Sequence, residues 1–145
     1  MISIDLAREL RDAGLQWDPH DGDRFVIPDR GLDHHVFSIS EMTVDVRTVP
    51  GGRQIAFNGA VEWALDAIME YEVIWLPSEA QLRERLGLAF RSLEREGNTY
   101  RCEIATPTKA ETHEAAEPAD AYGRALLSVI TADPDVFPRV VLDEL

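Results

Sequence analysis

Between Asp18 and His35 the chain gathers its densest set of side chains able to do chemistry: Asp18, His20, Asp21, Asp23, Asp29, Asp33, His34 and His35. Carboxylates with imidazoles suit zinc, manganese or iron. The spacing does not follow any of the ordinary ligand patterns. Asp18-Pro19-His20-Asp21-Gly22-Asp23 departs from the EF-hand order, in which the glycine follows three alternating ligands. His34 and His35, if they lie in a strand, point to opposite faces and cannot share an ion. Asp and Gly are also the residues that turns require. The expectation is therefore turn chemistry and no cofactor, with His20, Asp21, Asp23, His34 and His35 as the residues a metal would draw on.

Other reactive groups have quieter readings too. Cys102 needs a neighbouring imidazole to act as a nucleophile. It alternates with Tyr100 and Ile104, the pattern of a buried structural thiol. Arg91, Arg95 and Arg101 are placed to share the outer face of a hairpin, where guanidinium groups can clasp carboxylates or phosphates. Glu94, Glu96 and Glu103 lie close by in sequence, so cross-strand ion pairs are the competing outcome. Trp17, Trp63 and Trp75 are the large aromatic groups, and an exposed tryptophan is a common binding hot spot. Trp75, in Trp75-Leu76-Pro77, is the one set at a seam between elements. The phosphate-cradling loops, the G-x-S-x-G elbow, the H-E-x-x-H helix and paired C-x-x-C motifs are all absent from the sequence.

The elements that must position these residues can be read from periodicity. Ser3 caps a first helix with Asp5 in its first turn; Leu6, Leu10 and Ala13 share a face, and Gly14 ends it. "RFVIP" and "HVFSIS" read as short strands. "MTVDVRTV" and "RQIAFN" flank Pro50-Gly51-Gly52 as a hairpin. From Ala60 the spacing of Val61, Leu65 and Ile68, extended to Trp75, predicts a helix that stops near Glu70 or Tyr71, before Pro77. Ser78 and Gln81 form a capping box for a helix with Leu82 and Leu86 inward, closed by Gly87. A second hairpin turns at Gly97-Asn98. Residues 106–117 are polar and aperiodic and read as an exposed loop. Pro118 opens a last helix that buries Ala121, Tyr122, Ala125, Leu126, Val129 and Ile130.

Strands flanked by helices without βαβ alternation indicate an α+β fold, with one antiparallel sheet of four to six strands and helices packed on one face. The 145 residues suit a single domain, 1–145. Within it, 132–145 forms a C-terminal extension carrying Val136, Phe137, Val140 and Leu142, docked on the domain or on a second copy. One cysteine rules out an intramolecular disulfide and suits a reducing cytoplasm. No apolar run approaches the length of a membrane span. The net charge of -13 repels nucleic acid and anionic membranes and favours a basic partner.

"GDRFVIPDR", "FNGAVEWALDAI", "WLPSEAQLRERLG" and "ADAYGRALLSVI" together resemble a group of small actinobacterial proteins of unknown function, along most of the chain. Some carry the label "pilus assembly protein", taken from a much larger ATPase. This chain lacks the nucleotide-binding loop that such chemistry needs. The resemblance implies a shared fold and no particular activity, and it carries over no functional residue.

The sequence points to a non-catalytic acidic protein, cytoplasmic, that binds another protein and not nucleic acid or membrane, with a homodimer as one form. Trp75, Arg91, Arg95, Arg101 and Phe137 are its interaction candidates. The alternatives are a small enzyme with a metal or carboxylate site between residues 18 and 35, and an acidic inhibitor or immunity-type protein that neutralises a basic toxin.

Overall fold

Ser3 opens the first helix in the way its side chain dictates. Its backbone is extended, and its hydroxyl oxygen accepts the Leu6 N–H at 3.3 Å. α1 then runs Ile4–Asp12, with Asp5 in the first turn and Leu6, Ala7 and Leu10 buried. The computed structural model describes residues 1–28, 35–39, 42–59 and 67–132. It forms two compact units: Met1–Leu15 with 77–132, and Gln16–Leu76.

The Gln16–Leu76 unit is built from two small sheets. β1 (Arg24–Val26) pairs antiparallel with β2 (Phe37–Ser38). β3 (Met42–Val49) and β4 (Gly52–Gly59) form the expected hairpin across Pro50-Gly51, in register from Val49↔Gly52 to Met42↔Gly59. Beyond it the reading changes. Residues 60–66, with Val61, Trp63 and Leu65, lie outside the described residues. The helix predicted to continue to Glu70 is replaced at Ala67–Met69 by β5, which adds to β4 from Ala56↔Ala67 to Gln54↔Met69. A 3₁₀ turn at Glu70–Glu72 follows, and the Glu72 carboxylate accepts the Met69 N–H at 3.1 Å. Helix formers yield here because β4 offers a hydrogen-bonding edge, and tertiary pairing overrides local propensity.

Trp75 is likewise in a strand, not at the end of a helix. β6 (Ile74–Leu76) is buried along its length and pairs with β1, giving the order β2-β1-β6. The register sets Phe37 opposite Phe25 and Phe25 opposite Trp75, so three aromatic side chains form one row across the sheet. The Phe25 and Phe37 rings stack at 5.4 Å, and Trp17 lies 5.4 Å from Phe25 and 6.5 Å from Trp75.

The other unit resumes at Pro77. The capping box forms in full: Gln81 N–H donates to the Ser78 hydroxyl at 3.2 Å, and Ser78 N–H donates to the Gln81 side-chain oxygen at 2.9 Å. α2 (Glu79–Leu86) buries Leu82 and Leu86 and ends at Gly87. A 3₁₀ turn at Gly87–Ala89 leads into β7 (Phe90–Glu96). β7 pairs with β8 (Thr99–Ala105) around Gly97-Asn98, where the positive φ of Gly97 (61°) suits a two-residue hairpin turn. The loop predicted over 106–117 is corrected next: Ala110–Ala115 is β9, paired with β8 from Ala105↔Ala110 to Tyr100↔Ala115. α3 (Pro118–Ala132) completes the described chain.

Register fixes which face of this sheet is covered. Phe90, Leu93, Cys102, Ile104, Glu111, His113 and Ala115 share one face, and Cys102, Ile104 and Ala115 are buried. α3 lies on that face against β8 and β9, with α1 and α2 against α3. The fold is α+β, as expected. Its described strands, however, are divided among three antiparallel sheets of three rather than gathered in one sheet of four to six. No described helix is long and apolar enough to cross a membrane.

Candidate functional site

α1 and α3 start side by side. The Ser3 backbone N–H donates to the Asp120 carboxylate at 2.8 Å, which joins the first residues of the two helices. Gly123 allows the close approach: a Cβ there would fall 2.8 Å from Leu6 Cδ2 and 3.1 Å from Ile2 Cδ1. The two helices border a cleft of about 870 Å³. α1 contributes Asp5, Glu9 and Asp12, which recur at i, i+4 and i+7 on one face. α3 contributes Arg124, Ser128 and Thr131 on its facing stripe, and His113 of β9 also lines the cleft.

Beside the cleft, Glu111 organises a small network. Its Oε2 accepts the Ser128 hydroxyl at 2.6 Å and lies 3.0 Å from His113 Nε2, while the Lys109 ammonium pairs with Oε1. Lys109 first, then Ser128 and His113, hold the carboxyl down at about 2. It is therefore a carboxylate, an acceptor only, and the proton on the His113–Glu111 bond is assigned to Nε2. Arg124 is occupied as well, donating to the Glu114 carbonyl at 2.6 Å. Asp12 pairs with its neighbour Arg11. Asp5 and Glu9 are exposed and make no side-chain hydrogen bond or ion pair with the described residues.

Sequence reasoning missed this network, because a loop over 106–117 gives its side chains no common direction. The readable signal is the alternation of Lys109, Glu111, His113 and Ala115. That is strand spacing, carried by charged groups instead of apolar ones.

The residues singled out from sequence are placed elsewhere. Asp23 is buried and its Oδ2 accepts both the Trp17 indole N–H at 2.9 Å and the His20 backbone N–H at 3.0 Å. It fastens a loop to the aromatic row. The His20 ring bonds the Asp18 carbonyl at 2.6 Å through Nδ1. Asp21 is exposed, His35 packs 4.4 Å from the Phe37 ring, and His34 lies outside the described residues. Among the described residues, no three His, Cys, Asp or Glu side chains are arranged to hold a metal ion. Trp75 is only 8% exposed and belongs to the aromatic row, which removes it as a surface platform.

The arginine patch also needs correction. Arg101 stands opposite Glu94 and Arg95 opposite Tyr100, so Arg95 and Arg101 project from opposite faces of the sheet. Arg101 bridges Glu114 at 3.0 Å and Glu96 at 3.2 Å; the Glu114 hydrogen bond, then the charges of Glu114 and Glu96, raise its pKa. Arg95 donates to the Gly97 carbonyl, and Arg91, at an irregularity in β7, donates to the Phe90 carbonyl. The three act in turns and ion pairs and do not form one clasp. Phe137 lies outside the described residues. Burial keeps the Cys102 thiol protonated, pushing it up to about 11.

Comparison with protein-family models, curated proteins and solved structures gives no match. The cleft and its network are thus read on their own chemistry.

Proposed function

We propose that this protein is a non-catalytic binding protein that receives a basic segment of another protein in the cleft between α1 and α3. The observation that carries this reading is the row of Asp5, Glu9 and Asp12 along the cleft, with Asp5 and Glu9 unneutralised by any described residue. A cleft in which carboxylates outnumber the single guanidinium, Arg124, concentrates a partner of the opposite sign and speeds its arrival. The net charge of -13 extends that preference to the whole chain.

Ser128, His113 and Glu111 do not make a hydrolytic set. In a working triad the imidazole stands between hydroxyl and carboxylate. Here the carboxylate stands in the middle and accepts the Ser128 hydroxyl's hydrogen bond directly. A carboxyl at about 2 is also too acidic to serve as a general base near neutrality.

A basic protein answers this cleft better than a second copy of the chain, whose net charge is also -13. An inhibitor of a basic toxin is the narrower form of the same reading. Cytoplasmic residence belongs to the proposal, since a lone, protonated thiol suits a reducing compartment.

Pull-down from the native host tests the reading. Wild-type protein is compared with the triple variant Asp5→Asn, Glu9→Gln, Asp12→Asn by quantitative mass spectrometry. A basic protein captured by the wild type and lost from the variant is the expected result. Identical capture profiles would rule out the cleft.

A further inference from the structure

The protons of Ser128, Thr131 and His113 on the α3 and β9 side of the cleft are already committed inside the protein. The Ser128 hydroxyl donates to Glu111, the Thr131 hydroxyl donates to the Leu127 carbonyl at 2.8 Å, and His113 Nε2 donates to Glu111. What each has left is a lone pair: Ser128 Oγ, Thr131 Oγ1 and His113 Nδ1. Beside them stand the open carboxylates of Asp5 and Glu9.

We infer that Glu111 locks His113 as the Nε2–H tautomer, so that its Nδ1 faces the occupant as an acceptor, and that the cleft thereby selects the arginines of an extended Arg-x-Arg segment in a partner protein. The inference rests on the cleft reading above and names what the cleft recognises.

A guanidinium carries five donors and no acceptor, the complement of these three lone pairs and of the Asp5 and Glu9 carboxylates, which lie in the same lining as Arg124. Its rigid fork can engage a carboxylate and a neighbouring acceptor together, which an ammonium does less well. Spacing supports two arginines. Asp5 and Glu9 are separated by about 6 Å of helix rise, and alternate side chains of an extended chain lie about 7 Å apart. His113 acts as a specificity-determining residue, and Glu111 is a positioning residue acting through it.

Two measurements on the full chain test this. Long-range proton–nitrogen NMR at neutral pH reads the imidazole tautomers directly, with the His113 signals assigned by their loss in His113→Phe. The Nε2–H form is expected, with the Nδ1 resonance shifting as peptide is added. An Nδ1–H form, or an Nδ1 resonance indifferent to peptide, overturns the inference even if a variant fails to fold. Calorimetry then uses an acetylated, amidated pentapeptide of glycine with arginine at its second and fourth positions.

Glu9→Gln and His113→Phe are each expected to weaken binding about fivefold, the upper end for one exposed charge pair and the middle of the range for one ordinary hydrogen bond. Lysine in place of both arginines should weaken it by at least as much. Binding lowered by Glu9→Gln but untouched by His113→Phe sinks the inference and leaves the cleft reading standing. No binding, or binding indifferent to Glu9→Gln, sinks both. Spermidine binding as tightly as the peptide would make the site one for small polyamines and overturn the choice of a protein segment.

Discussion

Glu111 accepts from Lys109, Ser128 and His113, and the price of those contacts appears when it is protonated. Its pKa is depressed from 4.5 to about 2 in the folded chain. A depressed carboxyl contributes stability that is complete above its unfolded pKa and disappears as pH falls through the folded one. The expected profile is a loss of thermal stability between pH 4.5 and about 2 to which Glu111 contributes. Glu111→Gln should melt lower than wild type at neutral pH, and the gap should close toward the acid end. Melting curves followed by circular dichroism at several pH values check this; a constant gap would show that the Glu111 contacts contribute nothing through ionisation. Cys102 makes a second prediction at this scale. Fully buried, with its thiol pushed up to about 11, it should resist alkylation by iodoacetamide at pH 8 and react promptly in denaturant. Rapid labelling of the native chain would contradict its position in β8.

At the scale of elements, local signals were legible and pairings between distant segments were not. Ser3 and Ser78 announce their helices because a cap needs only the next few residues. Ser78→Ala should cost about 1 kcal/mol, the usual worth of an N-cap, and chemical denaturation of the variant measures it. Both hairpins are legible for the same reason: turn and partner lie together in sequence. β5 and β6 escape because their types depend on edges supplied elsewhere, by β4 and β1, whereas β9 lies one short turn after β8 and escapes because Glu111 and His113 hold the inward positions where apolar groups are expected. The site was correspondingly half visible. The acidic stripe of α1 follows from helical spacing, whereas the Glu111 network depends on β9 being a strand. Gly123 makes a prediction about helix packing. Gly123→Val would drive side-chain atoms into Leu6 and Ile2, and overpacking of this kind costs about 1–3 kcal/mol. A drop in melting temperature is expected; an unchanged one would mean that α1 can withdraw from α3 freely.

For the molecule as a whole, charge is the dominant property. Opposite charges attract over distances set by salt, so raising ionic strength from about 0.1 M to about 1 M shortens the Debye length from about 10 Å to about 3 Å. Association with the arginine peptide should weaken steeply over that range, mostly through a slower on-rate. Stopped-flow mixing at graded salt measures it, and a salt-independent rate would remove steering from the account.

The aromatic row has an optical consequence. Trp17, Trp63 and Trp75 all fall within Gln16–Leu76, and the Trp17 and Trp75 rings stack at 6.5 Å with only 12° between their planes. Indole emission, and the near-ultraviolet dichroism of two closely stacked chromophores, therefore report on that unit alone. The rest of the described chain holds Tyr100 and Tyr122 but no indole. Excitation at the red edge of the indole band follows one half of the protein, while the helical ellipticity of the described residues, supplied by α1, α2 and α3, follows the other. One unlabelled sample thus carries separate spectroscopic channels for its two units.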